Sequence, residues 1–185
     1  MSISLRGVLA RALIVSALGF ATACTSNTGP GQSADDGVVD FQTDSASYSL
    51  LLSSDRRWYT GTIAVTYTNR TADTVSFTNC QGATDVALEK LIDGVWTYVW
   101  APVLPSCLSP AIAVAPGQER RWDIAVSAGY PGTNTAQQFS VNHISGVYRA
   151  IWRDAMIRSA GAASFIVAPE EHRVSNQFAL NAPDP

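Results

Sequence analysis

Polar and apolar residues alternate with a period of two in many segments after residue 40. Ile63, Val65 and Tyr67 are separated by small or polar residues, and a similar pattern runs through 122–126. This period places successive side chains on opposite faces of a half-buried strand, and no segment sustains a helical period. The pattern predicts strands at residues 46–53, 58–69, 74–78, 85–92, 95–100, 120–126, 147–153 and 174–180.

The connections between these segments have residues typical of tight turns. Asp93-Gly94 predicts a two-residue hairpin, whose central residues both need positive φ, and makes Lys90 and Thr97 neighbours on adjacent strands. Pro116-Gly117 suits a type II turn. Eight short strands joined in this way indicate a β-sandwich. The absence of a repeat of fixed period argues against a propeller or a solenoid.

The segment Gly146-Val147-Tyr148 opens a late strand and resembles the tyrosine corner of immunoglobulin-like domains. The resemblance implies that the Tyr148 hydroxyl bonds to backbone a few residues upstream. Tyr148, Ala150 and Trp152 would then share the core face. The alternative is that Tyr148 is one more core aromatic. The sequence thus predicts an all-β chain, an immunoglobulin-like antiparallel β-sandwich of about seven to nine strands at residues 41–182, with one disulfide.

The first 23 residues are typical of an export signal. Arg6 and Arg11 precede an apolar run at 12–23, which is too short for the roughly 20 residues that span a bilayer. Ala21-Thr22-Ala23-Cys24 then resembles the lipobox of bacterial lipoproteins, although Ala21 replaces the usual leucine. The resemblance implies cleavage before Cys24 and acylation of its thiol, for example with palmitate. The alternative is an ordinary signal peptide that leaves Cys24 free.

Residues 24–40 are rich in small and polar residues and contain no aromatic residue. Such a segment predicts a flexible linker with a reach of about 20 to 25 Å. We therefore expect a domain tethered to a membrane of the bacterial cell envelope, exposed to the periplasm or the exterior. Asp35, Asp36 and Asp40 are interpreted as solvated charges of the linker rather than calcium ligands.

Two cysteines remain in the predicted domain, Cys80 and Cys107. An exported protein favours their pairing, and the loop-entropy relation gives such a bond about 3 to 4 kcal/mol of stabilisation. It would hold the proline-rich segment 101–110 against the sheet. A redox pair or a metal site is the alternative, but no C-x-x-C and no neighbouring histidine accompany the cysteines.

The composition excludes several kinds of chemistry. The chain has 12 basic residues, all arginine except Lys90, and 15 acidic residues, for a net charge of −3. This balance argues against nucleic acid as a partner. G-x-S-x-G, S-x-x-K and H-E-x-x-H motifs are absent, and His143 and His172, the two histidines, are expected at the surface. We therefore predict no enzyme, no catalytic residue, no cofactor and no metal site. Glu170-Glu171-His172-Arg173 is interpreted as a solvated loop.

Aromatic residues and arginine, the composition of interface hot spots, occur together in two places. Trp96, Tyr98 and Trp100 are expected on one strand face. Arg56 and Arg57 precede the second predicted strand, which begins at Trp58. All six are candidate binding residues, although core packing is the favoured reading for the tryptophan strand. The Asn69-Arg70-Thr71 sequon is expected to stay unmodified in a bacterial lipoprotein.

A wider set of turns has a familiar order: Asn79-Cys80-Gln81-Gly82, Asp93-Gly94-Val95-Trp96, Cys107-Leu108-Ser109-Pro110 and Ala115-Pro116-Gly117. It resembles immunoglobulin-like domains of bacterial secreted lipoproteins and, loosely, the intracellular proteinase inhibitor family. The exported form with a disulfide departs from an intracellular inhibitor. We expect a monomeric, non-enzymatic module that binds a protein, peptide or glycan. The alternatives are a protease-inhibitor-like protein acting through 101–110, or an enzyme without a local signature.

Overall fold

The computed structural model describes residues 40–133, 135, 137–159, 161 and 163–184. This part of the chain is all-β, and seven of its thirteen strands have six or more residues, which agrees with the seven to nine predicted. The strands are β1 (Phe41–Thr43), β2 (Ser47–Ser49), β3 (Leu51–Leu52), β4 (Trp58–Thr68), β5 (Thr74–Asn79), β6 (Val86–Ile92), β7 (Val95–Trp100), β8 (Ser109–Val114), β9 (Glu119–Gly129), β10 (Gly146–Trp152), β11 (Met156–Arg158), β12 (Ile166–Val167) and β13 (Phe178–Asn181), with a 3₁₀ turn at Glu170–His172.

The first sheet is built around the two longest strands, β4 and β9. They pair antiparallel over their full length, with Ile63 opposite Ile124 and Val65 opposite Trp122. Alternate residues of both strands are buried, as their period of two predicts. The short strands β1 and β3 pair with the other edge of β4.

The second sheet has five strands in the order β2-β13-β10-β6-β7. The hairpin between β6 and β7 turns at Asp93 and Gly94, whose φ values are 51° and 81°, and Lys90 lies opposite Thr97. Both hairpin predictions are confirmed.

The tyrosine corner is also confirmed. Tyr148 on β10 is fully buried, and its hydroxyl donates a hydrogen bond to the carbonyl of Ile144. Burial raises the pKa of this phenol above its usual range. Ala150 and Trp152 lie on the same buried face. The bond joins the start of β10 to the segment that precedes it.

The third sheet has the order β12-β11-β5-β8, and β8 was missed by the sequence pattern. Pro110 lies inside β8, and a proline argues against a central strand because it has no N–H to donate. Here β8 lies at the edge of the sheet, where that missing donor is tolerated. The following Pro116-Gly117 turn forms as predicted, with φ of 74° at Gly117 and a bond from the Gln118 amide to the Ala115 carbonyl.

Aromatic rings join the three sheets in a common core. Trp122 of the first sheet lies 6.2 Å from Trp152 of the second and 5.0 Å from Phe77 of the third, measured between ring centroids. Phe41 stacks on Trp152 at 3.8 Å. These contacts make the sandwich one packed unit around an apolar core.

The predicted strand at 46–53 is divided in the structure. Its two halves, β2 and β3, belong to different sheets, and the buried Leu50 lies between them. Strand β2 pairs in parallel with β13, whereas β3 pairs antiparallel with β4. A strand that crosses between the sheets of a sandwich must bend, and alternation along the sequence carries no sign of the bend.

Candidate functional site

An irregular segment, residues 101–108, joins β7 to β8; we call it the braced loop. Its prolines, Pro102 and Pro105, cannot donate to a strand ladder and restrict the residues that precede them. The segment therefore forms neither helix nor strand. Val103 is 71% exposed and Leu108 is 91% exposed. Two apolar side chains this open to water leave unburied apolar surface that a partner can cover.

The disulfide joins the end of this loop to the residue that follows strand β5. Cys107 is bonded to Cys80, and their Cα atoms are 3.8 Å apart, so the predicted pairing is confirmed. Cys80 is fully buried, whereas Cys107 is exposed. The Cys80 backbone forms two hydrogen bonds with Ala83, which fix the inner half of the bond in a tight turn.

A second attachment lies one residue earlier on β5. Asn79 pairs with Ser109 in the sheet, and its side-chain amide donates a 3.0 Å bond to the Pro110 carbonyl. The amide oxygen of Asn79 accepts a 2.7 Å bond from the Gly82 backbone. Both ends of the Asn79 side chain are therefore engaged, and its orientation is fixed.

Two of the three aromatic residues predicted for one strand face lie on the outer face of the second sheet. Trp96 and Tyr98 point outward opposite Leu91 and Glu89, and Tyr98 is 46% exposed. Trp100 is only 2% exposed, so the prediction of one shared face is wrong for this residue. A register shift between Leu88 and Glu89 adds a residue to β7 and turns Trp100 into the core.

Arginine side chains cover the two outward rings. The guanidinium carbon of Arg149 lies 4.8 Å from the Trp96 ring centroid, and Arg149 also pairs with Glu89 and Glu170 at 2.7 Å each. Arg153 stacks on Tyr98 at 5.5 Å and pairs with Asp85. The two arginines on this face thus have acidic partners within the domain. Glu170 is 58% exposed, as the solvated-loop interpretation expects, although it also forms the ion pair with Arg149.

Arg56, Arg57 and Trp58 are exposed, and they lie at or just before the start of β4 in the first sheet. Arg56 and Arg57 lie in the turn before β4, and Trp58 is the first residue of β4. Arg56 has a positive φ of 58°, and its guanidinium donates a long 3.5 Å bond to the Asp184 carbonyl.

The structure overturns the sequence prediction for Asp40 and modifies the prediction for His172. Asp40 is not a solvated linker residue: it is 4% exposed, and its carboxylate lies 2.6 Å from the His172 ring and 3.4 Å from Arg70. His172 is accordingly half-buried, while His143 is exposed as expected. The pairing of Asp40 with His172 attaches the start of the described chain to the segment before β13.

Asn69 of the sequon is fully buried, and its side-chain amide donates to the carbonyls of Asp73 and Val114 at 2.8 Å each. It therefore serves the fold. Within the described ranges, no group of three or more His, Cys, Asp or Glu residues is placed to hold a metal ion. No helix of the described chain is long and apolar enough to cross a membrane. Cys24, with the signal and most of the linker, lies outside the described residues.

Comparison with protein-family models and with curated protein sequences finds no match.

Proposed function

We propose that this protein is a lipid-anchored, non-enzymatic module of the bacterial cell envelope that binds a protein partner through the braced loop. The observation that carries the proposal is the pair of exposed apolar side chains, Val103 and Leu108, on a loop fixed at its end by a disulfide and by Asn79. A loop end that is fixed before binding loses less entropy when a partner closes over it.

The membrane part of the proposal comes from the sequence around Cys24. Acylation there would leave the domain on a linker that reaches about 20 to 25 Å, so the braced loop would meet partners close to the membrane surface. Metabolic labelling with an alkyne analogue of palmitate tests the anchor. We expect label on the wild-type protein and none on Cys24→Ser, and an unlabelled wild-type protein would remove the anchor from the proposal.

Partner binding is tested in living cells with a photoreactive residue at Val103. The control places the same residue at Leu51, another exposed apolar side chain, which belongs to β3 in the first sheet. We expect a discrete crosslinked species from position 103 that is lost when Leu108 is also changed to Gly. Equal products from both positions, or none from 103, would contradict binding through the loop.

The outer face of the second sheet supports a second candidate function, binding of a glycan or peptide. Tyr98 keeps nearly half its surface open although Arg153 covers part of the ring. In the crosslinking experiment, a photoreactive residue at Tyr98 distinguishes the two candidates. A product at position 98 that survives Leu108→Gly would favour this face over the braced loop.

A further inference from the structure

We propose that Phe165, Ile166 and Val167, which we call the apolar edge, are a second membrane contact that inserts into the surface of the bilayer holding the Cys24 anchor. This inference rests on the lipid anchor of the proposed function. It adds an orientation, in which one end of the domain rests on the lipid and the braced loop faces away from it.

The apolar edge consists of three consecutive large apolar side chains that are open to water. Phe165 is 46% exposed, Ile166 is 60% exposed and Val167 is 52% exposed. Ile166 and Val167 form β12, the outermost strand of the third sheet. Neighbouring residues of a strand point to opposite faces, so both faces of β12 are uncovered. A lipid surface surrounds an inserted strand and covers both faces at once.

The residues around the apolar edge suit a lipid surface. None of residues 159–169 is charged, and those before Phe165 are all Ala, Gly or Ser. The guanidinium carbon of Arg158 lies 5.4 Å from the Phe165 ring centroid, and the Ser159 hydroxyl donates a 2.9 Å bond to the Asp73 carboxylate. Charges of both signs therefore border the apolar edge, which matches the phosphate and the amine of a zwitterionic headgroup.

A protein occupant fits this surface less well than lipid does. Strand β12 has two residues and offers few backbone groups to an added strand. A stable contact between two copies of the chain takes about 20 to 30 residues a side, whereas the apolar edge has three. Insertion into lipid needs no such area, because an acyl anchor already holds the domain at the membrane and a small apolar surface adds to it.

The linker enters the domain at the same end as the apolar edge. The carbonyl of Asp40 accepts a 2.8 Å bond from the Thr68 amide at the end of β4, and its carboxylate pairs with Arg70. The chain then turns into β5 at Thr74, which lies opposite Arg158. A linker with a reach of about 20 to 25 Å therefore brings this end of the domain to the membrane.

The braced loop lies at the opposite end of the third sheet. Strand β5 begins at Thr74, beside Arg158, and ends at Asn79, beside Ser109. The strand has six residues, so its two ends are about 17 Å apart. With the apolar edge in the bilayer, the braced loop is directed away from the lipid and stays open to a partner.

The test uses the mature acylated protein, purified from membranes and reconstituted in phosphatidylcholine vesicles. An environment-sensitive fluorescent amino acid replaces Val167 in one variant and Leu51 in the control. Leu51 is 70% exposed and lies opposite Thr60, near the other end of β4 from Asp40. We expect a blue-shifted emission at position 167 that brominated acyl chains quench, and neither effect at position 51.

A substitution beside the fluorescent residue tests whether apolar contact causes the quenching. In the position-167 variant, Ile166→Ser removes exposed apolar surface outside the core, so the ratio of docked to undocked domains should fall about 10-fold. The matched change Leu51→Ser should leave this ratio unchanged. Salt at about 1 M should also leave the quenching unchanged, because it screens charges and not apolar contacts. Quenching that survives Ile166→Ser, or that salt abolishes, would contradict apolar insertion.

The remaining outcomes separate this inference from the proposed function. An unquenched residue at position 167 would overturn the inference. A blue shift there without quenching, together with a dimer in chemical crosslinking, would assign the apolar edge to a second copy of the chain instead. If quenching fails while the palmitate label on Cys24 and the position-103 crosslink persist, this inference alone is rejected. An unlabelled Cys24 would reject the anchor and this inference with it.

Discussion

Removal of the Cys80–Cys107 bond should cost a large part of the domain's stability. The bond closes a loop of 27 residues, for which the chain-entropy relation gives about 12 cal/mol/K, or about 3.5 kcal/mol at 25 °C. For a domain of roughly 145 residues the entropy of unfolding is about 0.3 kcal/mol/K, so this loss lowers Tm by about 12 °C. Cys107→Ser is the suitable change because Cys107 is exposed, and serine there leaves no cavity.

The assay is thermal unfolding of the wild type and of Cys107→Ser, with and without a reducing agent. We expect the two proteins to differ by about 12 °C when oxidised and to melt together when reduced. Cys80→Ser is the contrasting control. It places a hydroxyl in a fully buried site, so part of its loss should persist under reducing conditions. Equal Tm values for oxidised wild type and Cys107→Ser would refute the argument.

Three further changes test other parts of the structure. Tyr148→Phe leaves a buried backbone carbonyl without its donor and should cost about 1 to 3 kcal/mol in urea unfolding; an unchanged midpoint would show that the hydroxyl bond contributes nothing. His172→Ala removes one partner of the buried Asp40 carboxylate and should also cost about 1 to 3 kcal/mol of stability. The control, Glu171→Ala at the exposed neighbouring residue, should change stability by no more than about 0.5 kcal/mol. Equal losses for the two variants would contradict the pairing. Burial raises the pKa of the Asp154 carboxyl, so the folded state holds that proton more tightly than the unfolded state and this group's contribution to stability is lost as pH rises. In denaturant titrations, the free energy of unfolding of Asp154→Asn should therefore rise relative to that of the wild type between pH 4 and pH 7. A fall over this range would contradict the raised pKa.

The strands and turns that were predicted correctly are governed by local rules. Alternation shows directly on β4 and β9 because each has one buried face over eleven residues. Asp93-Gly94 adopts the two positive φ values that its hairpin requires. The cysteine pair was predictable because the first 23 residues are interpreted as an export signal, and export favours disulfide formation.

The features that the sequence did not reveal depend on contacts between distant residues. Nothing near Asp40 marks it as the partner of His172, which lies 132 residues later. The inward turn of Trp100 depends on one extra residue in β7, and a bulge leaves no signature in a pattern of alternating side chains. The attachment of the loop by Asn79 could be predicted only once β8, hidden by its proline, was paired with β5.

The most direct measurement of the central claim is the crosslinking experiment at position 103, made with the full chain in living cells. If a partner binds the braced loop, a photoreactive residue at Val103 should give one discrete crosslinked species that Leu108→Gly removes, and the same residue at the exposed Leu51 should give none. Equal products from both positions, or no product from position 103, would contradict the account.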